Sequence, residues 1–339
     1  MSLYSLARAP LFALDAERAH DITIESFRHA PWLADVFCAR APDDPVTLMG
    51  LRFPNRVGLA AGLDKNGECL RAWARLGFGF VEIGTATPRP QPGNPKPRMF
   101  RLVRHQALIN RLGFNNRGVD YLLQRVAEAD FKGVLGINIG KNADTPIERA
   151  AEDYLLCLRK AHAAASYITI NISSPNTRGL RDLQDEQRLD DLLAQLRSER
   201  AKLAQQQGRR APMLVKIAPD VTDIQLEHIA TAARSYGVDG LIATNTTISR
   251  QGVEREKLAQ QQGGLSGAPL LPRATKILRR LRARVGQEYP LIGVGGILTG
   301  ADAVQKRAAG ADLVQVYTGF IYRGPGLIAE CSRAMLGNR

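Results

Sequence analysis

Lys65, Asn138, Asn171, Ser174, Lys216 and Asn245 stand where short apolar runs end, and their side chains could do chemistry together. The clearest case is Asn171-Ile-Ser-Ser-Pro-Asn-Thr177, which follows a β-branched run beginning at Tyr167. Pro175 has no N–H and a fixed φ, so neither a helix nor a central strand continues through it. The pattern reads as a buried strand that hands a rigid polar loop to a ligand. A plain Ser/Asn turn after a core strand is the alternative. Lys216 lies inside the apolar run Met213 to Ile217. A buried ammonium must find a partner or give up its proton; a lysine surfacing at a strand end is the alternative.

These residues recur because the chain repeats a unit. Apolar strands are expected at 56–61, 80–84, 134–139, 168–172, 213–217, 240–243, 291–294 and 313–316. Helices are expected at about 68–76, 117–130, 146–165, 185–206, 222–236, 272–285, 301–309 and 327–335. Eight strand–helix units with strands apolar on both faces predict an α/β fold, a (β/α)8 TIM barrel. A doubly wound sheet is the rival, but no strand opens onto a GxGxxG helix start. Hairpins are expected around Gly50 and over 101–110, with a glycine-rich loop at 263–267.

A barrel gathers its chemistry at the C-terminal strand ends. There stand Lys65, Thr85, Asn138, Asn171 with Ser174, Lys216, Asn245, Gly296 and Tyr317, with Asp64 the one neighbouring acid. No carboxylate pair and no histidine joins them, which excludes a two-acid glycosidase and argues against a metal enzyme. Two cations among neutral amides suit a planar, anionic, heteroatom-rich ligand. Gly295-Gly296 and Tyr317-Thr-Gly319 follow strands seven and eight, the usual phosphate seat of such barrels. Lys216 could face the N1/O2 edge of a flavin, and Lys65 a substrate carboxylate.

The chain has 339 residues, 45% hydrophobic content and a net charge of +13. That charge suggests nucleic acid, an acidic membrane surface or an acidic small molecule, unless it only solvates helix faces. Cys38, Cys69, Cys157 and Cys331 form no CxxC pair, so free thiols are expected. No apolar run is long enough to span a bilayer, and no secretory signal is apparent. Residues 1–40 stand apart from the barrel at 41–339. An apolar patch of Leu3, Leu6, Leu11, Phe12 and Leu14 is broken by Pro10, and Asp15 caps a helix to about Arg28. Two short amphipathic helices are expected, either packed on the barrel or lying in a membrane interface.

With these motifs in view, the chain resembles the dihydroorotate dehydrogenase family, and within it the membrane-associated, quinone-using class. The carriers are Gly58-Leu-Ala-Ala-Gly-Leu-Asp-Lys65, Glu82-Ile-Gly-Thr85, Pro88-Arg-Pro-Gln-Pro-Gly93, Asn110-Arg-Leu-Gly-Phe-Asn115, Gly136-Ile-Asn-Ile-Gly-Lys141, the Asn171–Thr177 loop, Val215-Lys-Ile-Ala-Pro219, Ala243-Thr-Asn-Thr-Thr247, Gly263-Gly-Leu-Ser-Gly267 and Gly293-Val-Gly-Gly296. They span nearly the whole chain.

The resemblance implies FMN held by Ala61, Gly62, Lys65, Thr85, Asn138, Asn171, Lys216, Thr244, Gly267, Gly296, Tyr317 and Thr318. It implies a pyrimidine, dihydroorotate or orotate, held by Lys65, Asn110, Arg111, Leu112, Gly113, Phe114, Asn171, Asn176, Asn245 and Thr246. Ser174 falls where the family has its base, and serine rather than cysteine there favours the quinone class. His20, Arg101 and Tyr317 match positions along a quinone tunnel roofed by the first 40 residues. A peripheral place on the cytoplasmic face of the cell (inner) membrane, an anionic lipid partner and no nucleic acid follow, with a monomer or a dimer both open. Two other readings are a flavin-dependent tRNA dihydrouridine synthase, which needs a loop cysteine, and a non-catalytic RNA-binding barrel, which needs aromatics among the basic residues.

Overall fold

The apolar runs do form strands, and their order decides where everything else goes. The computed structural model describes residues 3–337; the first two and last two residues of the expected segments 1–40 and 41–339 lie outside it. In chain order the elements are α1 (Leu3–Ala13), α2 (Ala16–His29), α3 (Leu33–Phe37), β1 (Val46–Leu48), β2 (Leu51–Phe53), β3 (Val57–Leu59), α4 (Leu70–Trp73) and β4 (Phe80–Ala86). There follow β5 (Met99–Leu102), β6 (Ala107–Asn110), α5 (Gly118–Ala129), β7 (Val134–Ile139), α6 (Ala150–Ala161), β8 (Tyr167–Asn171), α7 (Glu186–Gln207) and β9 (Met213–Ile217). The chain closes with α8 (Asp223–Ser235), β10 (Gly240–Ala243), β11 (Gly264–Gly267), α9 (Leu271–Val285), β12 (Leu291–Val294), α10 (Gly300–Ala308), β13 (Leu313–Val316), α11 (Thr318–Arg323) and α12 (Gly326–Leu336).

Eight strands close into one barrel in the order β10-β12-β13-β3-β4-β7-β8-β9. Every pairing is parallel, so the fold is the expected (β/α)8 barrel. Such strands are buried on both faces and need a crossover helix between them. The β1–β2 hairpin turns at Gly50, whose φ is +74, a left-handed conformation that favours glycine. It plugs the barrel's N-terminal end, where Phe53 meets Phe80 edge-on at 5.3 Å.

Above the opposite end sits a small sheet in the order β11-β6-β5. The expected hairpin is β5–β6. The third strand was not expected: the stretch 263–267 is extended rather than a loop, pairing antiparallel with β6 from Gly264↔Asn110 to Gly267↔Ala107. α1 also departs from expectation, since one helix runs through Pro10. The N–H that Pro10 lacks would have met the carbonyl of Leu6, which is largely exposed and can be solvated instead. α2 is capped as expected, with Asp15 Oδ1 accepting from the N–H groups of Glu17 and Arg18 at 3.0 Å each.

The N-terminal helices dock on the small sheet through charge as well as apolar contact. Arg98 donates to Glu17 at 2.7 Å, and both side chains are buried. Arg101 donates to the carbonyls of Leu11, Phe12, Leu14 and Asp15 at 2.7–3.4 Å. It thereby satisfies orphan groups at the C-terminal end of α1. Phe27 packs edge-on against Trp73 at 5.5 Å.

Candidate active site

A cavity of about 1070 Å³, mouth included, opens at the C-terminal end of the barrel. The ends of seven of the eight barrel strands contribute, β7 being the exception, because each hands over there to a polar or glycine-rich loop. Of the residues expected around a flavin, Ala61, Gly62, Lys65, Thr85, Asn171, Lys216, Thr244, Gly267, Gly296, Tyr317 and Thr318 line it. Of those expected around a pyrimidine, Lys65, Asn110, Leu112, Gly113, Phe114, Asn171, Asn176, Asn245 and Thr246 line it, and so does Ser174.

Two expected contacts stand elsewhere. Arg111 follows Asn110 at the end of β6, and successive side chains there face opposite ways. Its guanidinium turns out to Gln261 Oε1 at 3.0 Å and the Pro97 carbonyl at 2.8 Å, over the Phe100 ring. Asn138 is wholly buried one layer behind the wall. Its Oδ1 accepts from Thr85 Oγ1 at 2.6 Å and Asn171 Nδ2 at 3.1 Å. Asn138 therefore orients two lining residues instead of lining the cavity itself.

Glu82 was missed by sequence reasoning, although an acid inside the apolar run Phe80 to Ile83 was a visible signal. It is fully buried in the barrel and accepts from Asn138 Nδ2 at 2.8 Å, Tyr167 OH at 3.0 Å and Gln315 Nε2 at 2.8 Å. Burial lowers the pKa of Lys216, and the Glu82 charge opposes that. Lys216 makes no hydrogen bond among the described residues, so its ammonium remains available to an anionic edge in the cavity. Gln315 Oε1 and Thr246 Oγ1 are likewise buried without a partner there. Asp64, by contrast, serves structure: it accepts from Glu68 N, Cys69 N and Trp73 Nε1 at 2.8–2.9 Å.

The amides form two hydrogen-bonded groups, one around Asn171 and one around Asn176. Asn245 Nδ2 donates to Ser173 Oγ at 3.0 Å, and Asn176 Nδ2 to Asn110 Oδ1 at 3.2 Å. The Ser174 Oγ accepts from the N–H of Asn176 at 3.2 Å. Thr177 Oγ1 is buried and unpartnered three residues on. Burial pulls the pKa of Lys65 down to about 8, against the attraction of Glu17, Asp21 and Asp64.

At the far end of the cavity Gly295 and Gly296 have φ of +101 and +85. A Cβ on Gly296 would stand 2.4 Å from Leu271 Cα, so only glycine lets this loop lie against the start of α9. Thr318 Oγ1 donates to Ser266 Oγ at 2.9 Å beside it. The set fits FMN: small backbone loops for a phosphate, and an unpaired buried lysine with unpaired polar atoms for a heteroatom-rich ring.

A second, largely apolar cavity of about 1330 Å³ lies between the N-terminal helices and the small sheet. His20, Arg101 and Tyr317 line it as expected, with Phe12, Ala16 and Phe27 among the apolar walls. Burial lowers the His20 pKa to about 3, and the charge of Lys65 adds to this, so the imidazole is neutral. Met99, Leu108 and Tyr317 line both cavities and form the wall between them. No cysteine lines either cavity, so the loop cysteine that the dihydrouridine synthase reading needs is not at the site.

Comparison with known proteins agrees with this geometry. The family profile described as Dihydroorotate dehydrogenase matches residues 45–336. A protein of Aromatoleum aromaticum named dihydroorotate dehydrogenase (quinone) is 57% identical over 334 residues, covering 98% of this chain and 95% of its own. One of the same name from Alkalilimnicola ehrlichii is 55% identical over 98% of this chain and 99% of its own. Among solved structures, ligand-free DHODH from Eimeria tenella has a TM-score of 0.86 at 41% identity, covering 95% of this chain and 94% of that one. With the barrel, the shared cavity and these relatives in agreement, the chain belongs to the dihydroorotate dehydrogenase family.

Proposed function

We propose that this protein oxidises dihydroorotate to orotate with FMN as hydride acceptor and a quinone as final acceptor, a step of pyrimidine biosynthesis. The observation that carries the reading is convergence. Lys65, Ser174, Lys216 and Gly295–Gly296, far apart in sequence, line one cavity. The quinone in the names of the relatives supports reading the second, apolar cavity as a quinone site.

Bound FMN supplies a two-electron acceptor for the hydride that leaves C6 of the substrate. The residues do the rest. Lys65 meets the substrate carboxylate, and Asn110, Asn171, Asn176 and Asn245 hold the ring so that proton and hydride leave in fixed directions. Ser174 Oγ takes the C5 proton. A serine is a weak base, so it needs a dry site and a path for the proton; the buried, unpartnered hydroxyl of Thr177, three residues on, supports such a path. Lys216 stabilises negative charge at the flavin edge, and Glu82 keeps that lysine charged.

Residues 1–40 act as the quinone-binding cap and the barrel as the catalytic body. The cap's exposed Leu3, Leu6, Trp32 and Val36 support a peripheral place on a membrane; the cytoplasmic face is part of the proposal. No helix among the described residues is long and apolar enough to cross one. The test is spectroscopic. The purified protein is yellow, dihydroorotate bleaches it without oxygen, and a long-chain quinone restores the colour. A colourless protein, or a flavin untouched by dihydroorotate, ends the reading.

A further inference from the structure

Lys306 is completely buried, yet no acid pairs with it. Its stem lies on α10 beside Gly293 of β12, where an added Cβ would come within 3.4 Å of Lys306 Cβ. Among the described residues its ammonium makes one hydrogen bond, a long one of 3.4 Å to the carbonyl of Val294. That oxygen already accepts the N–H of Thr244 at 3.1 Å. Asp302 is the acid whose charge reaches Lys306. Its carboxylate is committed to capping α10, accepting from Leu298 N and Thr299 N at 2.9 Å each. A buried, unpaired ammonium is among the least favourable groups a fold can hold, unless an anion arrives later.

The place of that ammonium says which anion. Val294 ends β12, and the next two residues are Gly295 and Gly296, at the deep end of the active cavity. Lys306 does not line the cavity itself. It approaches the glycine loop from behind, through the peptide that leads into it.

We propose that Lys306 is the counter-charge for the phosphate of the bound flavin nucleotide, acting across the Val294–Gly295 peptide rather than by contact. The proposal rests on the reading of that loop as the phosphate seat. Lys306 is thus a positioning residue. It makes the protein select a phosphorylated flavin over riboflavin, whose ring is the same but which lacks the anion. Burial has already drawn its pKa down to about 7; a phosphate nearby pulls it back up, so flavin binding takes up a proton near neutral pH.

The test uses the full-length chain stripped of flavin and titrated separately with FMN and with riboflavin. Wild type binds FMN more tightly. Lys306→Met, close in volume and content to be buried, leaves riboflavin affinity unchanged and weakens FMN by about ten-fold or more, as loss of one poorly screened charge requires. Flavin-free Lys306→Met also melts no lower than wild type, because an apolar side chain suits the site better. If the Met variant does not fold, Lys306→Gln carries the same comparison. An unchanged FMN-to-riboflavin ratio in the variant overturns the role of Lys306 while leaving the seat intact. Equal affinity of wild type for both flavins overturns the seat and the proposal with it.

Discussion

In the proposed reaction Ser174 acts as the base although its hydroxyl is a poor one, and its one hydrogen bond among the described residues, from the N–H of Asn176, does nothing to activate it. Replacing it with alanine therefore removes the proton acceptor alone. Ser174→Ala keeps its flavin and its affinity for dihydroorotate, while flavin reduction near neutral pH falls by about 10²-fold or more in stopped-flow measurements. Wild-type-like reduction would take Ser174 out of its role. Lys65 sets a pH dependence of opposite character. Its pKa is lowered to about 8 by burial, so it is charged below that pH and loses its charge as pH rises through it. In the proposed reaction that charge meets the substrate carboxylate. KM for dihydroorotate is thus flat below about pH 8 and climbs above it, whereas Lys65→Met shows a high KM at every pH. Glu82 is a third case. Glu82→Gln keeps the shape but strips Lys216 of its buried counter-charge, so flavin is retained less well on dilution and its reduction is slower.

The lid of three helices is held by few but strong connections, and this makes it separable in function. Arg98, just before β5, and Glu17 of α2 form a buried pair. Breaking such a pair costs about 3–5 kcal/mol, because the partner stays buried and unpaired. Glu17→Gln therefore loosens α2: hydrogen exchange there speeds up and quinone-dependent turnover drops. Anaerobic bleaching by dihydroorotate persists. Deleting residues 1–40 has the same signature in its extreme form, and normal use of a long-chain quinone by the truncated chain would dismiss the cap. At this scale the sequence was most legible where one signal sufficed. β7, β9, β10, β12 and β13 match their expected bounds because uninterrupted β-branched runs are buried on both faces. β11 was illegible since Gly264-Leu-Ser-Gly267 carries no alternation of its own and becomes a strand only by pairing with β6, some 150 residues away. α11 was hidden because it starts directly at the end of β13. Within the site, the motif residues were readable one by one. That Asn138 stands behind the wall, and that Arg111 turns outward, depends on register and alternation, which no motif encodes. Arg101 was expected in a quinone tunnel; it lines the second cavity and clasps the end of α1.

The whole molecule joins a basic surface to an apolar fringe. Net charge is +13, and Leu3, Leu6 and Trp32 are 60–61% exposed on the cap. The combination predicts binding to vesicles of anionic lipid that is weakened, though not abolished, by high salt, since screening acts on the charge and not on apolar insertion. Replacing Leu3, Leu6 and Trp32 together with serine leaves only the salt-sensitive part, as co-sedimentation reads out. Met99, Leu108 and Tyr317 shape the kinetics of the complete cycle. They stand as a thin bulkhead between a polar chamber and a greasy one, so with the proposed occupants the two reactants do not meet and need never be present together. Initial-rate plots at several quinone concentrations then run parallel, and a blocker lodged in the greasy chamber does not compete with dihydroorotate. Selective inhibition of this enzyme is accordingly a matter of fitting the roof, which can be reshaped without touching the chemistry beneath it.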